Sequence, residues 1–183
     1  MASMAPGSNA ALTAENPDLR RALVGFGWSL VPSRGPQAEL VPLAIMCGPD
    51  GRAISDEHLV FFNQLSTPDD GLHFVGSDDV EQIDVDLHRV PEPVRKIVFI
   101  VYVDPEVRGL GTYAAVKSAY IRVADQGSRE LVRFDIPLAD QAQVRAMVFG
   151  ELYRHGGGWK FRAIGQGYLN GLSALATDYK VIL

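Results

Sequence analysis

The chain has 183 residues, 47% of them hydrophobic and 21% charged, with a formal net charge of −5. A chain of this length folds on its own core, burying about 70% of its unfolded surface. The acidic balance argues against a nucleic-acid partner, and no run of roughly 18 or more apolar residues is present to make a membrane helix.

The N-terminal stretch "MASMAPGSNAALTAENP" lacks the basic segment leading into an apolar one that marks a secretory signal. With a second Met at position 4, Met1–Ser3 are expected to be an added segment or an alternative start. Residues 1–8 are expected as a disordered tail and residues 9–183 as a single domain. Short apolar-rich runs then follow between turn signals, reading as strands at 22–30, 39–47, 58–64, 80–87, 95–104, 119–126, 130–138, 146–155 and 159–166. In the fourth of these, Val85 and Leu87 alternate with Asp84 and Asp86, so one face is wet. "IVFIVYV" is apolar throughout and predicts a central strand buried on both faces. Helix is expected only in "TYAAVKSA" and "GLSALATDY". Many strands, short turns and no alternation of helix with strand predict an all-β fold, a sandwich of two mostly antiparallel sheets.

The run "FGELYRHGGGWKFRAIGQGY" at 149–168 predicts a hairpin turning at Gly156-Gly157, where both positions must accept positive φ. That register sets His155 against Gly158, Arg154 against Trp159, Tyr153 against Lys160, Leu152 against Phe161 and Glu151 against Arg162. It pairs Glu151 with Arg162 and lays Arg154 over Trp159, contacts of roughly 0.2–1 kcal/mol each. A slip of one residue would oppose Arg154 and Lys160, so the charges select the register. Trp28 and Trp159 read as packing anchors and Arg122 as a paired strand charge.

Chemistry-bearing patterns are few. Four histidines at 58, 73, 88 and 155 have no zinc-ligand spacing, and no nucleophile elbow, phosphate loop or dinucleotide fingerprint occurs. Cys47 is the sole cysteine, which excludes an internal disulfide and fits a reducing compartment. Its setting, "LAIMCG", predicts a packing thiol and not a nucleophile. "DGRAISDEH" lacks the ligand spacing of a helix-loop-helix calcium site. What remains is acidic: "GSDDVEQIDVD" sets Asp78, Asp79 and Glu81 at the mouth of a strand, where loop carboxylates could serve calcium. Asn63-Gln64, at a strand end, reads as a loop cap or a carbonyl donor.

"LVGFGW", "SDEHLVFFNQ", "EQIDVDLHRVPEPVRKIVFIVYV", "AYIRV" and above all "MVFGELYRHGGGWKFRAIGQGYLNGL" together resemble the tellurium-resistance TerD family over about residues 9–179. The resemblance implies a bacterial stress-response protein with a calcium-binding β-sandwich domain, cytoplasmic or membrane-peripheral, with protein partners in a stress-resistance complex and no enzymatic role. It also implies departures at the metal. Where the family carries Asp-Leu-Asp, this chain has "ELVPLA", in which Glu39 keeps one carboxylate and Val41 loses the other. The long acidic loop is compressed to "GSDDVEQI", keeping Asp79 and Glu81 with Asp78 close by. Calcium affinity depends on the number of charged ligands. The expectation is therefore a degenerate site of Glu39, Asp78, Asp79 and Glu81 with weak calcium binding or none. The loops at 31–38 and 66–79 are expected to carry partner contacts.

Overall fold

The structure is a computed structural model that describes residues 3–32, 38–75, 81–104 and 111–183. Two antiparallel sheets face each other. The first orders β1 (Asn9–Ala11), β11 (Gly158–Tyr168), β10 (Ala146–His155), β7 (Lys96–Val103), β3 (Leu40–Cys47) and β4 (Leu59–Val60) side by side. The second orders β5 (Leu72–Val75), β6 (Glu81–Asp86), β2 (Arg21–Leu30), β8 (Val116–Ala124) and β9 (Glu130–Asp135). One α-helix, α1 (Leu172–Tyr179), follows β11.

Period-two patterning explains the layers. From β7, Ile97, Phe99, Val101 and Val103 point between the sheets, into a core shared with Phe26, Ile83, Ile121, Phe149 and Phe161. The alternate residues Val98, Ile100 and Tyr102 point the other way, into a second apolar layer with Val41, Leu43, Ile45, Val148 and Leu175 of α1. A strand covered on both faces must be apolar at every position, which is why "IVFIVYV" shows no alternation. In β6 only Ile83 and Val85 are buried, and Asp84 and Asp86 keep a wet face.

The hairpin adopts the expected register, with His155 opposite Gly158, Arg154 opposite Trp159 and Glu151 opposite Arg162. Gly156 (φ 56°) and Gly157 (φ 79°) make the turn, and a Cβ at either would touch nothing within 4 Å. Glycine is there for the sign of φ alone. Glu151 Oε1 accepts a hydrogen bond from Arg162 Nη1 at 3.2 Å, and the Arg154 guanidinium lies 4.5 Å from the Trp159 ring centroid. A bulge between Val148 and Gly150 lets the chain pass close to Phe161.

Three local readings differ from the sequence expectation. "TYAAVKSA" is a single 3-10 turn at Tyr113–Ala115, capped by Thr112, and Val116 onward joins β8. Its alanines favour helix, but pairing with β2 and β9 and the burial of Val116, Ala119 and Ile121 outweigh that preference. "HLVFFNQ" pairs as a strand only at Leu59–Val60, and a bridge between Phe61 and Gln64 closes a tight turn. Strands β1 and β5 carry too little pattern to be read in advance. Residues 3–8, expected as a tail, run beside both sheets: Met4 N–H donates to Arg133 O and Gly7 N–H to Ala163 O.

Candidate functional site

Of the residues expected around calcium, Glu39 falls at the end of the sandwich where β3 begins and β7 leaves. Glu39 is exposed just before β3. The Asp104 amide donates to the Glu39 carbonyl at 2.8 Å, which extends the β3–β7 ladder by one step and holds two carboxylate residues side by side. Next along the ladder, Val41 stands opposite Tyr102. Burial pushes the Tyr102 hydroxyl up to about 12, and the carboxylates of Asp104 and Glu39 add to the shift. That combined influence places both acids near the same phenol.

Val41 is buried within the apolar layer under α1 and its side chain offers packing and no oxygen. Glu81 opens β6 in the other sheet, opposite Phe26, with its carboxyl raised by burial. The ladders thus place Glu39 and Glu81 in different sheets. Asp78 and Asp79 lie outside the described residues, as do most of the loop at 31–38 and the last part of that at 66–79. Among the described residues, no group of three or more His, Cys, Asp or Glu side chains converges as a metal site.

Beside Tyr102 and Asp104 an apolar cleft of about 290 Å³ opens between β3, the turn after β4 and the C-terminal segment. Phe62 and Leu183 line it, and they remain 52% and 43% exposed. Asn63 lines the same cleft, whereas the Gln64 side chain turns inward and donates to the carbonyls of Leu59 (2.7 Å), Asp56 and Glu57. Of the two readings of Asn63-Gln64, Gln64 is thus the loop cap.

Close to that turn lies a constellation that the linear sequence did not disclose. Ser55 Oγ sits 2.5 Å from His58 Nδ1, and His58 Nε2 lies 3.2 Å from Asp69 Oδ2. The order Ser-His-Asp suggests a proton relay, but the details make it a lock. Ser55 Oγ already accepts from the Glu57 amide in a local turn, and Asp69 Oδ1 is spent on Thr67 and Gly71. The approach of Asp69 Oδ2 to the imidazole is an ion-pair distance without hydrogen-bond alignment. These contacts pin the turn at 67–71 against the turn at 55–58. Its sequence signal is the spacing Ser-x-x-His, visible only once Asp69 is known to fold back.

The remaining singled-out residues have structural partners. Cys47 is buried, its thiol pushed up to about 12 chiefly by desolvation, and Sγ donates weakly to Ile45 O. Arg122 pairs with Glu130 at 3.8 Å. Trp159 is a core residue and Trp28 packs against the core from a half-buried position.

Comparison with known proteins agrees with this architecture. The family model described as the TerD domain matches residues 1–179. The chain is 33% identical over 187 residues to the tellurium resistance protein TerD of Serratia marcescens, covering 98% of this chain and 97% of that one. It is 35% identical to general stress protein 16U of Bacillus subtilis, covering 97% and 96%. Among solved structures, a homologue of the telluride resistance protein from Streptomyces coelicolor superposes with a TM-score of 0.68 at 24% identity, over 86% of this chain and 95% of that one.

Proposed function

Since this chain belongs to the TerD domain family, we propose that it is a non-enzymatic binding module of a tellurium-resistance and general stress system, with its calcium site degenerate. The relatives' names, tellurium resistance protein and general stress protein, supply the setting. Val41 carries the reading of the metal: the side chain at a ligand position of the family is packed among Leu43, Tyr102 and Val148 and has no oxygen to offer. The exposed Phe62 and Leu183 flanking the cleft support protein binding at this end, because apolar side chains left open beside a polar rim suit a protein partner.

Thermal melts in excess calcium and in chelator test the metal reading. The expected result is the same midpoint in both. A bound ion at a hundredfold its Kd would add about 2.7 kcal/mol, and at about 2–4 °C per kcal/mol for a domain of this size that would be an unmistakable rise. Such a rise would establish the second reading, a calcium-responsive module using Glu39, Asp78, Asp79 and Glu81. The acids that share Tyr102 as a neighbour favour that second reading to this extent: Glu39 and Asp104 already put negative charge at one place. Pull-down with a Phe62→Ser, Leu183→Ser double variant tests the partner surface: loss of the partners captured by the unaltered chain is expected, and an unchanged set of partners refutes it.

A further inference from the structure

The opposite end of the sandwich carries different chemistry. Strand β10 runs from Ala146, beside Tyr102, to Tyr153, beside Lys96. Its hairpin tip therefore lies where β7 begins, at the far end from Glu39 and Asp104. There a cleft of about 630 Å³ is lined by His88, Arg154, His155, Lys160 and the glycines of the turn. In a chain of net charge −5, no carboxylate is among the residues lining it.

Arg154 is the decisive side chain. Nε donates to Val94 O at 2.7 Å, and Nη2 donates to Val90 O and Pro91 O at 3.1 Å each. These three carbonyls fix the guanidinium against the Trp159 ring. None of them neutralises it, and among the described residues no carboxylate comes within ion-pair distance. By contrast, the exposed Arg129 and the half-buried Arg133 each have an aspartate. Burial holds Arg154 below the ordinary arginine range, Arg95 pushes it the same way, and Glu92 opposes weakly. Nη1 has no hydrogen-bond acceptor within the described residues and stays open to solvent. The amides of Gly156 and Gly157 also donate to nothing described. A half-buried cation without a counter-charge, two unspent amides and the exposed His88 border one space, while His155 and Lys160 belong to the outer face of the hairpin with Tyr153.

We propose that the cleft at the β10–β11 turn binds a phosphate group through Arg154 Nη1 and the Gly156 and Gly157 amides, with the His88 side chain as a further polar group on its wall. Phosphate fits better than carboxylate. The Nε–Nη2 edge of Arg154, which a carboxylate would take side-on, is already occupied by carbonyls. The free donors belong to separate groups, as the diverging oxygens of a tetrahedral anion require. Both free phosphate and a phosphomonoester present this chemistry.

Amide NMR of the folded chain, titrated at constant ionic strength, tests the assignment. Inorganic phosphate or glycerol phosphate is expected to move the Gly156, Gly157 and Trp159 amide signals saturably, with Kd of about 1 mM. The tighter of the two ligands identifies the source. Acetate and chloride are expected to leave those signals in place. Arg154→Gln is expected to weaken binding about tenfold, the loss of one charge-assisted contact. Because Arg154 also holds the 90–94 turn, His88→Gln, read beside unchanged melting, is expected to weaken binding several-fold, whereas Lys160→Gln, on the outer face of the hairpin, is expected to leave it within about twofold. Absence of saturation with both phosphates, equal shifts with acetate, or full affinity in both the Arg154→Gln and His88→Gln variants would overturn the proposal.

Discussion

Removing the charge of Glu151 while keeping its shape, by Glu151→Gln, is expected to destabilise the fold by about 2 kcal/mol. The carboxylate is almost fully buried, at 6% side-chain exposure, between Arg162 Nη1 at 3.2 Å and Lys96 Nζ at 3.6 Å. Breaking a wholly buried pair costs about 3–5 kcal/mol, and an exposed pair contributes at most about 1 kcal/mol. Here the cations retain 44% and 32% exposure and can rehydrate, so the loss falls between those limits. For a domain of this length about 2 kcal/mol lowers Tm by roughly 4–8 °C. Urea unfolding of wild type, Glu151→Gln, Arg162→Gln and the double variant isolates the pair, with a coupling of about 1 kcal/mol expected. A coupling indistinguishable from zero would refute the claim that this charge pair selects the hairpin register.

Two further perturbations discriminate kinds of strain and burial. Gly157→Ala meets no neighbour but must hold φ near 79°, and should cost about 1–2 kcal/mol by urea titration. Gly150→Ala would meet Phe161 at 2.5 Å and the Arg162 carbonyl at 2.8 Å, so it should cost more, about 2–3 kcal/mol, and disturb the bulge. For Cys47 the folded pKa of about 12 stands above about 8.5 for a free thiol. A raised pKa means the unfolded chain releases its proton first. The thiol's contribution is therefore complete below about pH 8.5 and falls by about 1.4 kcal/mol per unit as pH rises toward 12. Cys47→Ala should remove that part of the alkaline decline, and the native thiol should resist alkylation that proceeds readily in denaturant. A rapid native reaction would contradict the buried placement.

The long strands were legible because each satisfies a local and a global demand at once. β7 is apolar on both faces because a sheet core and a helix-covered layer lie on either side. The hairpin was legible down to its register because opposite charges and paired glycines specify it within the segment itself. "TYAAVKSA" was not, since its strand pairing is set by β2 and β9, about 90 and 15 residues away in sequence, while its alanines argue only locally. Site residues followed the same division. Glu39 could be placed at the entry of β3, but Asp104 could not be joined to it without the β3–β7 ladder, and the contact of His58 with Asp69 needs the turn between them.

The placement of both proposed sites at the ends follows from how the first sheet is covered. β3 and β7 bury both faces, one against the second sheet and one under α1, so their interiors offer no room for charge. Charged side chains of the β3–β7 pair can stand only where the strands stop. At one stop Glu39 and Asp104 gather beside open apolar side chains; at the other, Arg95 and Lys96 enter β7 beside Arg154, whose amide donates to the Arg95 carbonyl. The sheet between them is a spacer of about 25 Å, eight residues at about 3.3 Å each. A substitution at one end should therefore leave the other end's binding unchanged, because charges that far apart are screened beyond the roughly 8 Å Debye length at physiological salt. Coupling between a partner held at Phe62 and an anion held at Arg154 would require the sheet itself to shift, which its fully packed layers resist.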